Sequence, residues 1–372
     1  MTKEMKKEYK LITKLEDLAC YDELSKRKRE KLREVLKRHP MRIPEYYYGL
    51  IDFDEENDPI RKLSIPSVDE LSSYGEEDTS GESTNTKLPG LQHKYKQTVL
   101  VLSTNVCFMY CRHCFRKRMV GYSDEEINRR MEETITYVKE HKEVNNVLIT
   151  GGDSFTMSNK MIESYLKELT KVEHLDFIRF GTRSLVVYPR RIYRDNELLR
   201  ILEKYNKKKE IIIVTHFNHL KEITYESSLA IKALKERGIV IRNQAVLLKG
   251  INDTPKDLSD LLNGLVKEGI QPYYVFQCRP VKGATHFELP LSRAIEVVDQ
   301  AREYLNGISK GFKFIMSHKR GKIEIVGKTD KDFIFKFHQN KFDEDKNEVF
   351  LRPLDETSKW LDFDLNLIEN IT

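Results

Sequence analysis

The sequence predicts an α/β fold in which a parallel sheet is flanked by helices. Two observations carry that prediction. Short runs rich in apolar and β-branched residues recur near 98–103, 146–150, 176–181, 211–215, 239–247 and 273–277, as expected of strands buried on both faces. Between them, and after the last, lie stretches of helical spacing that start near Ser123, Ser158, Asp195, Thr224, Thr254 and Ser292. Six strand–helix units in strict alternation imply parallel strands with outer helices, because parallel neighbours need a long crossover. Periodicity alone leaves a doubly wound sheet and a barrel equally open. A length of 372 residues suffices for one such domain with appendages.

The chain opens on a charge-rich stretch over residues 1–40. There Leu24, Leu32, Val35 and Leu36 form a narrow apolar stripe, the mark of a solvated surface helix. Residues 67–87 are rich in Ser, Gly and Glu and are expected to form a surface loop. Within the alternating region the helix boundaries are written in residue types. Ser123 and Glu126 make a capping box, Thr254-Pro255 an N-cap followed by proline at the first helical position, and Gly238 a helix stop. Further on, Ile323–Val326, Phe333–Phe337 and Val349–Leu351 read as short antiparallel strands with charged turns. The expected organisation is therefore an N-terminal helical and extended region over 1–95, the strand–helix region over 96–308, and a β-rich cap over 309–372.

Composition excludes several classes of function. The 64 basic and 59 acidic side chains nearly cancel to +5, and no long single-sign block stands out, so no nucleic-acid stripe is expected. No apolar stretch approaches the length of a membrane span, and the first residues lack the apolar core of a signal peptide. Five cysteines without disulfide-like spacing point to a reducing, cytoplasmic compartment.

Three of those cysteines, Cys107, Cys111 and Cys114, stand together, and Arg116, Lys117 and Arg118 follow at once. Iron–sulfur clusters are held by thiolates, usually four. Three clustered thiolates with no nearby fourth suggest a cubane with one iron left open, and the cations would help keep the sulfurs ionised. A structural zinc site would show a second hook of Cys or His, and none is visible. His113 lies between two of the cysteines and cannot easily close the same ring. A non-catalytic electron carrier or sensor is the alternative of another class, although carriers generally close all four irons. Cys20, Cys278 and His219 read as structural.

The string from Cys107 to Arg118 resembles the Cys-x3-Cys-x2-Cys signature of the radical S-adenosylmethionine (SAM) enzymes, and in particular their lysine 2,3-aminomutase branch. Met41–Tyr48, Asn57–Lys62 and Leu88–Tyr95 are similar to the same branch, and the likeness runs from about Met41 to about Ile308. The resemblance implies a six-unit partial TIM-type barrel, open on one side, with its chemistry at the carboxyl ends of the strands. It implies a 4Fe–4S cluster on the three cysteines and SAM chelated at the fourth iron. A flavodoxin or ferredoxin would donate the electron, and the radical formed would abstract hydrogen from a small substrate. Gly151, Gly152 and Asp153 match the SAM amino-group site, Arg183 a SAM-site arginine, His216 and Gln244 (with Asn243) polar cofactor contacts, and Arg116 the arginine that holds a carboxylate. A homo-oligomer stays open.

The resemblance breaks at two places. Where lysine aminomutases carry an aspartate for the substrate's far ammonium group, this chain has Arg279. An arginine repels an ammonium group and suits a carboxylate or phosphate, unless it is folded back into a salt bridge. The pyridoxal phosphate (PLP) lysine of the family follows an aspartate and a glycine run. Here only Gly321-Lys322 keeps a Gly-Lys pair, so a PLP-dependent aminomutase using Lys322 is the alternative reading. The cap over 309–372 is expected to cover the open side of the barrel and to shape a different substrate pocket.

Overall fold

All six predicted strands form. In the computed structural model, which describes residues 9–121, 127 and 130–368, they are preceded by four others. β1 (Leu11–Ile12) pairs antiparallel with β2 (Ile43–Pro44), and β3 (Thr86–Leu88) is antiparallel to β4 (Leu91–Tyr95). The six are β5 (Thr98–Thr104), β6 (Asn146–Gly151), β7 (Phe177–Gly181), β8 (Glu210–Thr215), β9 (Val240–Leu247) and β10 (Gln271–Gln277). Each is followed by a helix: Met131–Glu140, Asn159–Leu169, Asn196–Asn206, Tyr225–Lys235, Pro255–Glu268 and Leu291–Glu303. The fold class is α/β, with the alternation of a partial (β/α)6 barrel. Among the described residues no helix is long and apolar enough to cross a membrane.

Residues 1–68, 83–216 and 221–242 make one compact unit. Its sheet runs β3-β4-β5-β6-β7-β8, parallel from β5 onward. Register explains its core. Val99, Val147, Ile178 and Ile211 pair in one row and Val101, Ile149, Phe180 and Ile213 in another. All eight are fully buried, and burying each side chain stabilises by about 1.5–3 kcal/mol relative to exposure. Helix starts follow the capping residues: Ser158, Asp195 and Thr224 accept the backbone N–H of Met161, Leu198 and Ser227. The capping box at Ser123 and Glu126 lies outside the described residues; the helix after β5 is described from Met131.

Residues 69–82, 217–220 and 243–372 make the second unit. Here Thr254 caps the helix Pro255–Glu268, and the predicted short strands form as β12 (Gly321–Lys328), β13 (Asp332–Asn340) and β14 (Val349–Pro353). A strand absent from the sequence reading, β11 (Lys313–Ser317), runs parallel to β10 and antiparallel to β12. Phe314, Ile323, Phe333, Phe335 and Phe337 fill this sheet's core.

The expected surface loop over 67–87 is not one. Glu70, Thr79, Glu82 and Asn85 are buried, and within the second unit Glu76 exchanges backbone hydrogen bonds with Pro280 (2.8 Å) and Lys282 (3.1 Å). Gly75, at φ +103°, admits that approach, since a Cβ there would overlap the backbone of 280–282. Polar composition marks a turn but does not say whether its backbone groups are answered by water or by another strand.

Candidate functional site

The cysteine loop leaves the carboxyl end of β5 and is pinned from two sides. Tyr110 and Arg112 donate backbone N–H bonds to Arg42 and Leu63 (both 3.0 Å). The fully buried Arg112 guanidinium reaches the carbonyls of Pro40 (3.0 Å) and His39 (3.4 Å). From the other side comes the turn after β6. Gly152 N–H donates to Thr104 (2.5 Å), Asp153 N–H to Val106 (2.8 Å), and the Thr156 hydroxyl also to Val106 (3.2 Å). The need for glycine at both positions follows from this contact. Gly151 stands at φ +118°, where a Cβ would overlap the Thr104 carbonyl, and a Cβ on Gly152 would overlap the Val106 carbonyl.

Asp153 is buried and its carboxylate is heavily used. Oδ1 accepts from Phe155 N–H (3.0 Å) and the Thr182 hydroxyl (2.6 Å), and Oδ2 from Arg183 N–H (2.8 Å). It thereby ties the end of β6 to the end of β7. Burial raises its pKa against these three donors.

Arg183 is not a surface ion pair. Its guanidinium reaches the Cys111 sulfur (2.8 Å), the His216 carbonyl (3.0 Å), the Tyr47 hydroxyl (3.3 Å) and Glu222 Oε1 (2.5 Å). Glu222 has no exposure and also accepts from Tyr47 (2.6 Å). Sequence reasoning missed Glu222, Tyr47 and Arg112, because a buried charge carries no local pattern of its own. The available signal was a carboxylate seven residues past the end of an apolar strand. The His216 ring meets the His113 ring edge to face, centroids 5.3 Å apart.

Arg116 donates its N–H to the Cys114 sulfur (3.4 Å) and its guanidinium to the Gly151 carbonyl (3.2 Å). Lys117 is buried; Met119 and Val120 turn back onto the Arg116 carbonyl and carry this segment inward. The first unit thus brings together Cys107, Cys111, Cys114, Arg116, Gly151, Gly152, Asp153, Arg183 and His216.

Gln244, Arg279 and Lys322 belong to the second unit. On β9, Asn243 faces the core and exchanges hydrogen bonds with the Phe217 backbone (2.7 and 3.0 Å), whereas Gln244 takes the alternate, half-buried face. Arg279 hydrogen-bonds the hydroxyls of Ser80 and Ser317, the latter at 2.6 Å. Lys322 lies directly across the β11–β12 pair from Ser317 and donates to Gln339 Oε1 (2.7 Å).

The cysteine loop fits an iron–sulfur cluster. Burial, together with the neighbouring sulfurs, pushes the Cys107 thiol well up and that of Cys114 up to about 11, against the lowering effect of Arg116. Arg116, and Lys117 at Cys114, pull the thiols in the expected direction, but burial outweighs them; iron, when bound, would supply the further charge that ionises them. Tyr110, Met119, Val120 and Ile127 form an apolar cluster against which the partly buried Cys107 and Cys114 pack.

Residues 101–262 match the family model of the radical SAM superfamily. A candidate L-lysine 2,3-aminomutase of Aquifex aeolicus is 38% identical over 348 residues, covering 93% of each chain. The L-lysine 2,3-aminomutase of Clostridium subterminale is 38% identical, over 80% of this chain and 71% of its own. The glutamate 2,3-aminomutase of Clostridioides difficile is 37% identical, over 80% of this chain and 70% of its own.

Proposed function

This chain belongs to the lysine 2,3-aminomutase-like family of radical SAM enzymes, and from that premise we propose that Cys107, Cys111 and Cys114 hold a 4Fe–4S cluster whose fourth iron takes the amino and carboxylate groups of SAM. When bound, the reduced cluster and SAM supply a 5′-deoxyadenosyl radical that abstracts hydrogen from the substrate. What carries the reading is the Cys111 sulfur held 2.8 Å from a buried arginine that is itself fixed by Glu222 and Tyr47.

Each residue then has a defined task. Arg183 holds Cys111 in place and Asp153 holds Arg183 through its backbone. The Gly151-Gly152 turn braces the cysteine loop, and Asp153 retains an acceptor direction for an ammonium group. His216 offers a polar contact to the cofactor. Arg116, bonded between Cys114 and Gly151, presents a cation to a carboxylate.

The substrate is a small amino acid with an acidic side group, and Arg279 selects it. An ammonium group 4 Å from that guanidinium would be repelled by about 4 kcal/mol at an effective dielectric of 20, whereas a carboxylate would be attracted. A glutamate-specific relative in the same family supports this assignment. A flavodoxin or ferredoxin delivers the electron in a reducing cytoplasm.

Anaerobic reconstitution with iron, sulfide, SAM and reductant tests the reading. Deuterium should pass from labelled glutamate into deoxyadenosine and not from labelled lysine. An intact cluster that forms no deoxyadenosine would sink it. The second reading, a PLP-dependent aminomutase using Lys322, rests on the surviving Gly321-Lys322 pair. It expects a PLP absorbance band that Lys322→Ala removes.

A further inference from the structure

We propose that His93, His141 and Glu143 form a binding site for a divalent transition metal of the zinc class, separate from the cysteine loop and outside the radical chemistry. One ligand atom from each lies within 4.8 Å of the other two. His93 belongs to β4, and His141 caps the carboxyl end of the helix Met131–Glu140. All three sit in the first unit, near the amino ends of β5 and β6. The seven residues of β5 put roughly 20 Å between them and the cysteine loop.

The hydrogen bonds of the two histidines point to ligation. His93 Nε2 lies 3.1 Å from the Lys96 carbonyl and His141 Nδ1 lies 2.8 Å from the Tyr137 carbonyl. A carbonyl only accepts, so these nitrogens carry the protons. His93 Nδ1 and His141 Nε2 are left with lone pairs. A histidine that donates one ring N–H to a backbone carbonyl and offers the other nitrogen is the usual arrangement of a metal ligand, because the carbonyl fixes both tautomer and ring plane.

Tyr137 organises the pair. Its ring stacks on His141 with centroids 3.7 Å apart, and its hydroxyl donates to His93 Nδ1 at 2.9 Å. A metal would take over that lone pair and leave the hydroxyl at the edge of the site. The helix end adds its partial negative charge.

The geometry needs little movement. Ligands about 2.0–2.1 Å from a tetrahedral zinc stand about 3.4 Å apart, and the exposed Glu143 is free to swing in. Two imidazoles and one carboxylate suit zinc, or cobalt in its place. Bound metal would clamp the link between helix and β6 onto the β4–β5 hairpin.

The test is titration of the reconstituted, cluster-bearing chain with zinc chloride, and separately with cobalt chloride. One zinc per chain should bind beyond the cluster, raise the thermal midpoint, and in cobalt form give visible d–d bands. His141→Ala and Glu143→Gln should each weaken that zinc by at least about tenfold, with cluster iron unchanged. Glu143→Gln, at an exposed position, guards against a folding artefact. Wild-type protein that takes up no more zinc than the two variants would overturn the proposal.

Discussion

Glu222 has no solvent exposure, and its Oε1 receives both the Arg183 guanidinium and the Tyr47 hydroxyl. Removing one partner of a buried pair leaves the other charge desolvated without compensation, which costs about 3–5 kcal/mol. Glu222→Ala should therefore destabilise the chain by about that much in anaerobic urea denaturation, and it should loosen Cys111 through Arg183. Glu222→Gln keeps a hydrogen-bond acceptor and should cost less. A change within about 0.5 kcal/mol for Glu222→Ala, the scatter of ordinary surface substitutions, would mean that Arg183 is held by the sulfur and the carbonyl alone.

The turn after β6 shows what an element contributes that single residues do not. Gly152 lacks a Cβ because the Val106 carbonyl occupies that space, one residue before Cys107. Gly152→Ala should push the cysteine loop away at a cost of about 1–3 kcal/mol, leave far-ultraviolet circular dichroism unchanged, and at least halve the iron taken up on reconstitution. Full iron content with the wild-type spectrum would show that the loop yields freely. The same turn marks how far the sequence can be read. Strands such as Val147–Ile149 and caps such as Ser158 were legible because burial on both faces and N-cap chemistry act locally. The glycines were legible as glycines, but the seating of one loop on another that they permit was not. Arg112 and Glu222 were illegible in their buried settings because their partners are distant in sequence. β11 was hidden because an apolar run as short as Phe314-Ile315-Met316 has no period that tells a strand from a buried turn of helix.

At the scale of the whole molecule, stability depends on pH through carboxylates that the fold has stripped of water. In the second unit Glu288 is 3% exposed, its two carboxylate oxygens have no hydrogen-bond partner among the described residues, and Lys359 stands 3.8 Å away. Burial raises its pKa from the ordinary 4.5 to about 7, with Lys359 opposing. Between those two values the folded chain holds a proton that the unfolded chain has released. Stability therefore falls as pH rises from about 4.5 and levels off above about 7. At 1.36 kcal/mol for each pH unit between those values, the effect is bounded at about 3.4 kcal/mol. Glu288→Gln removes the charge and keeps the shape, so its thermal midpoint should exceed wild type at pH 8, and the wild-type loss between pH 5 and pH 7 should shrink. The comparison is made anaerobically on the cluster-bearing protein at matched ionic strength. Parallel midpoint-against-pH curves for wild type and variant would show that Glu288 is ionised in the folded chain at both ends of the range, with Lys359 outweighing burial.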